Sequence, residues 1–226
     1  MRLALLTYDT QHRKTQEVFF RLRRRGFADI GLVLTPFKPR APRAIAVNHR
    51  PFQFTGPSAQ ALAERYGLRR VMLDDWRSFR DDYDYYLICG ANLIDGEFCN
   101  SAKVVNCHPG LVPQTRGLDS FKWAIHKNQL AGNTLHLLDD RVDLGTVFHQ
   151  EPTPVFAEDD FATLAARHYD NEIDLLANFD RYLGGAGTVL GLAQGEATKR
   201  MPPDLEPQMM TNFETFKTTY AKGVAP

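Results

Sequence analysis

Short, nearly uninterrupted apolar runs constrain this chain most: residues 2–6 beyond Arg2, residues 30–34, the Tyr85-Tyr-Leu-Ile-Cys89 run, and Val104-Val105. A strand with one wet face alternates polar and apolar side chains, so unbroken runs fit strands buried on both faces. Between the first two runs, residues 11–25 place Val18, Phe19 and Leu22 on one side of a helix, which Asp9 or Thr10 can cap and Gly26 can end. A strand, a helix and a second buried strand in that order predict parallel pairing through a right-handed crossover. The expected fold class is α/β, a Rossmann-like, mostly parallel twisted sheet with flanking helices.

The rest of the pattern extends this plan. Residues 58–66 read as a helix and residues 70–73 as a short strand. Asp119 or Ser120 can cap a helix reaching about Gln129, with Phe121, Ala124 and Ile125 inward. Residues 134–138 and 146–150 predict two strands, antiparallel because the connection between them is tight and Asp-rich. From Asp159 or Asp160 a long helix carries Phe161, Leu164, Ala165, His168, Leu175, Leu176 and Phe179 on one stripe and closes at Gly184-Gly185. Pro202 and Pro203 then fit the start of a last helix, with Leu205, Met209, Phe213, Phe216 and Tyr220 at helical spacing. Residues 1–185 are thus read as a catalytic domain, and residues 186–226 as a short helical C-terminal extension that packs on the core or on a partner subunit of a homodimer. Residues 36–57 are Pro-rich and basic, and too long for an ordinary connection. Lys38, Arg40, Arg43 and Arg50 there could meet a phosphorylated substrate or could simply face solvent.

Bulk properties exclude several classes. The 27 basic and 27 acidic residues give a net charge of zero, so no global field recruits nucleic acid or an anionic membrane. The apolar start is too short for a signal segment or a bilayer span. Cys89, Cys99 and Cys107 are odd in number and lack CxxC spacing, which gives neither a disulfide framework nor a zinc knuckle. A reduced, cytoplasmic protein is expected. No Gly-rich loop follows the first strand, so the dinucleotide and P-loop signatures are missing as well.

The chemistry concentrates in residues 104–150. Asn106 and His108 end an apolar run, and Pro109-Gly110 forces a turn that presents His108 at a strand end. Asp143 opens a second turn, Asp-Leu-Gly145. Together an amide, an imidazole and a carboxylate cover the needs of acyl transfer to an amine. Asn106 and a protonated His108 can donate to the oxyanion that forms, while Asp143 can keep the imidazole charged and relay the amine's surplus proton. Singly, each is an ordinary turn or polar residue, and only the joint spacing carries weight. Gly90, at the carboxyl end of a central strand, lets a ligand approach the backbone.

These residues belong to an ordered set: Asn106-Cys-His108-Pro-Gly-Leu-Val-Pro113, Arg116-Gly117, Trp123-Ala-Ile125, Gly132-Asn-Thr134-Leu-His136, Asp139, Asp143-Leu-Gly145, Gln150, Pro154-Val-Phe156 and Asp159-Asp160. The set resembles the folate-dependent formyltransferases, whose members formylate glycinamide ribonucleotide, methionyl-tRNA or nucleotide-linked amino sugars. The resemblance covers roughly residues 84–180 and implies the formyltransferase fold, with 10-formyltetrahydrofolate as co-substrate, a primary amine as acceptor and no metal. It places Asn106, His108 and Asp143 in the catalytic roles argued above. It also implies a pterin site along Gly90, Ala91, Asn92, Leu93 and Ile94 and along Leu138, Asp139, Asp140 and Val142.

Departures from the family restrict the acceptor. Where the purine-pathway members carry a Gly/Ser-rich phosphate loop, this chain has Thr7-Tyr-Asp-Thr-Gln-His-Arg-Lys14. That disfavours glycinamide ribonucleotide, and the zero charge and short tail disfavour tRNA. A nucleotide-linked amino sugar is the leading acceptor, with His12, Arg13, Lys14 and Arg116 as candidate substrate contacts. Glu172, which matches a ribose contact of the purine-pathway members, keeps glycinamide ribonucleotide as an alternative. Two other functions stay open: hydrolysis of 10-formyltetrahydrofolate by the same triad, and a metal site built from His108, His136, His149 and Asp143; a third, a catalytically silent folate- or nucleotide-binding module, is disfavoured by the intact Asn106, His108 and Asp143.

Overall fold

The computed structural model of the chain describes residues 1–37, 47–73, 75–77, 79, 82–140, 145–185, 187–189 and 196–222. Among these, the strands β1 (Leu3–Tyr8), β2 (Ile30–Thr35), β3 (Arg70–Met72), β4 (Tyr85–Ile88), β5 (Val104–His108), β6 (Gly132–Leu137), β7 (Thr146–Pro152) and β8 (Thr188–Val189) form one sheet in the order β3-β2-β1-β4-β5-β6-β7-β8. The first five pair in parallel and the last three are added antiparallel. The helices are α1 (Arg13–Arg24), α2 (Ala59–Tyr66), α3 (Gly96–Ser101), α4 (Ser120–His126), α5 (Phe161–Ala177) and α6 (Glu206–Tyr220). None is long and apolar enough to cross a membrane.

The apolar runs are buried as their composition requires. Leu3 and Leu5 point to one face of the sheet with Val18, Phe19, Leu22, Ile173 and Leu176, while Ala4 and Leu6 point to the other with Tyr83, Tyr86 and Val104. Full burial of such a leucine stabilises by about 1.5–3 kcal/mol, which is why the central strands tolerate so few polar residues. A third cluster joins α4, α6 and the first turns of α5 through Phe121, Ile125, Phe161, Leu164, Met209, Phe213 and Phe216. Lys122 on α4 and Glu206 on α6, both within 1% of full burial, close that contact with a 2.6 Å ion pair.

Local boundaries differ from the expectations where side chains find other partners. Helix α1 starts at Arg13, because Gln11 bridges to Ser58 and the Asp9 carboxylate accepts the Phe37 amide instead of capping. Helix α4 ends at His126, since Asn128 takes a left-handed φ of 49° that redirects the chain. Helix α5 stops at Ala177 and passes into a 3₁₀ turn at Phe179–Arg181. Helix α6 starts at Glu206, after Pro202 and Pro203. Short α3 and β8 lacked a pattern long enough to read from the sequence.

Candidate active site

Side chains on a strand alternate between faces, so Asn106 and His108 emerge together on one side of β5. Antiparallel pairing with β6 sets Asn106 opposite His136 and His108 opposite Thr134. Four polar side chains thus meet on one face where the parallel and antiparallel halves of the sheet join. The Asn106 amide donates from Nδ2 to His136 Nε2 at 3.2 Å, so that ring nitrogen is unprotonated. One amide hydrogen of Asn106 remains beyond this bond.

His108 is 3% exposed, and its Nε2 lies 2.9 Å from the Thr115 carbonyl and 3.1 Å from Ser120 Oγ. A carbonyl only accepts, which assigns the hydrogen to Nε2. Ser120 can accept as well, because its own hydroxyl donates to the Gly117 carbonyl at 2.8 Å. Nδ1 is the ring nitrogen that these two contacts do not engage. The His-Pro-Gly turn is braced from behind: Thr134 Oγ1 donates to the Gly110 carbonyl at 2.6 Å, and Gln150 Nε2 donates to the Val112 carbonyl at 2.7 Å. A Cβ at residue 110 would stand 2.1 Å from the Thr115 carbonyl oxygen and 2.8 Å from His108 Nε2, so the turn passes only as glycine. The peptide before Pro113 is cis.

The residues of the expected pterin site form two neighbouring stretches. Ile94, after β4, and Leu138, after β6, pack on the same apolar cluster, and a Cβ at Gly96 would lie 3.1 Å from Asp140 Cβ. Gly90 passes close beneath the Tyr8 ring, whose hydroxyl donates to the Ala91 carbonyl at 3.0 Å. Asn92 reaches the Pro36 carbonyl, and Leu93 is 91% exposed. Val142 and Asp143 lie outside the described residues, as do Lys38, Arg40 and Arg43. The described chain resumes at Gly145, whose φ of 98° and close pass of the Leu137 carbonyl allow no side chain.

The candidate substrate contacts at the start of α1 are engaged with other side chains of the chain. Lys14 is 3% exposed and its Nζ bonds Glu172 Oε1 at 2.7 Å, while Arg50 Nη2 reaches both Glu172 oxygens at 3.2 Å. Burial alone would raise the Glu172 pKa, but Arg50 and Lys14 outweigh it and hold the carboxyl at about 2. His12 is buried beside them; that burial, then the charges of Lys14 and Arg50, lower it to about 3 and keep it neutral. Arg13 pairs with Glu17 and Asp170, and its backbone N–H donates to the Gln53 carbonyl at 2.9 Å. These cations are thus already matched within the chain. Arg116 lies in the loop beneath His108 and takes part through its carbonyl, which accepts from Thr198.

Among the described residues no group of three or more His, Cys, Asp and Glu side chains could hold a metal. His149, a candidate ligand in the sequence, stacks on Tyr182 at 4.2 Å between ring centroids. Surface hollows between α1 and α2, around Phe20 and Tyr66, and beside Trp76 and Phe98 contain neither Asn106 nor His108. The sequence reading missed the bracing and accepting roles of Thr115, Ser120, Thr134 and Gln150. Thr134 carried a signal, since it and His136 alternate with leucines in a buried strand.

The sequence matches the family described as formyl transferase over residues 10–179. A dTDP-4-amino-4,6-dideoxyglucose formyltransferase of Mycobacterium tuberculosis (strain ATCC 25618 / H37Rv) is 35% identical over 99 residues, covering 43% of this chain and 40% of that protein. A phosphoribosylglycinamide formyltransferase of Haemophilus influenzae is 32% identical over 76 residues, covering 33% of this chain and 36% of that protein. The matched region therefore spans well under half of these relatives. Among solved structures, a sugar N-formyltransferase from a Shewanella species aligns with a TM-score of 0.57 at 20% identity, over 87% of this chain and 76% of that one. A phosphoribosylglycinamide formyltransferase from Campylobacter jejuni gives 0.59 at 13% identity, over 81% and 98% of the two chains. Both share the fold.

Proposed function

The chain belongs to the formyl transferase family, and on that footing we propose that it transfers a formyl group from 10-formyltetrahydrofolate to a primary amine of a small molecule, a nucleotide-linked amino sugar. The observation that carries this reading is the pairing of Asn106 and His108 on one strand face, each with one N–H tied down while the amide keeps a second hydrogen and the imidazole a second ring nitrogen. Fixed donors of this kind stabilise charge developing on a carbonyl oxygen without reorganising during the reaction.

The co-substrate supplies the formyl carbon. Leu93 is exposed and Ile94 and Leu138 pack on one apolar cluster, which offers apolar contact suited to a flat heterocycle, and the backbone of residues 90–94 and 138–140 is assigned to the pterin. Asn106, through its remaining amide hydrogen, and His108, through Nδ1, donate to the formyl oxygen. Asp143 takes the proton that the attacking amine sheds, directly or through water, and returns it to N10 of tetrahydrofolate as the bond from N10 to the formyl carbon breaks.

The closed start of α1 disfavours a phosphate there, the position where glycinamide ribonucleotide would need one, and a nucleotide-linked amino sugar must place its phosphates elsewhere. A helix N-terminus with nearby cations is a ready phosphate site, but here Gln53 takes the Arg13 N–H and Glu172 takes Lys14 and Arg50. The likeness to a sugar formyltransferase over 99 residues supports an amino-sugar acceptor.

Incubation with 10-formyltetrahydrofolate and either an amino-sugar nucleotide, glycinamide ribonucleotide or no amine tests the reading. Tetrahydrofolate release with a formylated sugar is expected. Release at the same rate without amine would instead make the protein a hydrolase.

A further inference from the structure

The loop that supplies both acceptors for His108 Nε2, residues 115–120, is not held by the catalytic strand. One end is fixed locally, where the Thr115 amide donates to the Leu111 carbonyl at 2.9 Å. The rest is tied to a segment about eighty residues further along the chain. Thr198 N donates to the Arg116 carbonyl at 3.0 Å, and Leu118 N donates to the Thr198 carbonyl at 2.7 Å. The Thr198 hydroxyl is shared between the Arg116 and Leu118 carbonyls, at 2.8 and 3.0 Å. Met201 N donates to the Asp119 carboxylate at 3.0 Å, and Trp123 Nε1 donates to the Lys199 carbonyl at 2.8 Å.

The fit is close enough to fix residue identities. Gly117 has a φ of 98°, and a Cβ there would stand 2.3 Å from the Thr198 carbonyl oxygen. Asp119 is also left-handed, with a φ of 53°. Backbone in that region persists in a non-glycine residue only when its surroundings over-determine it, and here they come from the distant segment. That segment is anchored in turn by fully buried Met201 and by α6, whose Met209 and Phe216 are fully buried in the cluster shared with α4.

We infer that the segment around Thr198 positions His108: by clamping residues 116–119 it keeps the Thr115 carbonyl and Ser120 hydroxyl on Nε2, and so aims Nδ1 at the formyl oxygen. Thr198 touches no reacting atom and is a positioning residue. The inference rests on the catalytic reading of His108, but the state of its ring can be measured without turnover.

Thr198→Val keeps the volume and removes the hydroxyl, Thr198→Ser keeps the hydroxyl, and Thr211→Ala removes an exposed hydroxyl outside the clamp, on α6. Nitrogen-15 spectra report the His108 Nε2–H and its exchange with water. In Thr198→Val this exchange is expected to quicken at least about tenfold and kcat to fall about tenfold, with KM for both substrates within about twofold, because a small misplacement of a catalytic group costs rate before binding. Thr198→Ser and Thr211→Ala should match the native protein. Trp123→Phe, which cuts a different bond of the clamp, should reproduce the pattern if Thr198→Val folds poorly. Native Nε2–H exchange and native kcat in both clamp variants would overturn the inference, and so would a raised KM with unchanged kcat. Loosened Nε2–H in a protein that formylates none of the amines tested would uphold the positioning role while refuting formyl transfer.

Discussion

Replacing Glu172 with Gln keeps the shape of a side chain that is 1% exposed and removes its charge. Two cations would then face a neutral amide: Lys14, almost fully buried, and Arg50, whose side chain is 29% exposed. The native carboxyl is held at about 2 against an ordinary 4.5. At about 1.4 kcal/mol per unit this difference is worth about 3 kcal/mol at neutral pH. Because the folded value lies below the unfolded one, the contribution is complete above about pH 4.5 and is lost as pH falls towards 2. Measurements on other proteins give the same scale, since removing one partner of a buried pair costs about 3–5 kcal/mol. Urea unfolding at pH 7.5 should therefore show Glu172→Gln less stable by about 3 kcal/mol or more, with an unchanged m value. Adding Lys14→Met should recover part of the loss by removing one stranded cation. A loss below about 1 kcal/mol would mean that the cluster behaves like a solvated surface pair, and the reasoning would be refuted.

Other outcomes follow from the same geometry. His108→Ala and Asp143→Asn should each lower turnover about a hundredfold while leaving co-substrate affinity near native; near-native rates in either variant would remove that residue from the mechanism. Gly110→Ala puts a methyl group against the Thr115 carbonyl and His108 Nε2, so kcat should drop sharply, and native kcat would show that the turn need not pass so closely. Burial, aided by neighbouring cations, lowers His12 and His49 to about 3 and His168 to about 4. Their folded values lie below the unfolded 6.5, so stability should decline as pH falls from about 6.5 towards 4, by up to about 1.4 kcal/mol per unit for each ring. Urea midpoints that stay level between pH 7 and 5 would contradict this.

The β1-α1-β2 opening, the buried strands and the β6–β7 pair were legible because burial on two faces and burial on one leave different side-chain periods. Asn106 and His108 were legible because Pro109-Gly110 ends the strand right after them. What the sequence did not disclose depends on contacts between distant residues. Nothing local to Lys14 says that Glu172, on a helix some 160 residues away, will neutralise it. Likewise the acceptors of the His108 hydrogen include a backbone carbonyl, which has no residue type, and the clamp at Thr198 works largely through main-chain atoms. The start of α1 shifted for a related reason, because the Asp9 carboxylate bonds the distant Phe37 amide, while Asp119 keeps the N-cap position of α4 but gives its carboxylate to Met201 N.

Arg50 and Gln53 come from one short segment and occupy Glu172 and the first free N–H of α1. A tethered group acts as a competitor at an effective concentration of about millimolar or more. An incoming ligand that needs either position must therefore displace part of the chain, and its observed affinity is weakened by the equilibrium between tethered and displaced states. A ligand that leaves both contacts alone meets no such competition. Under the proposed formyl transfer, acceptors would then be sorted at the start of α1 before any of them touches Asn106 or His108.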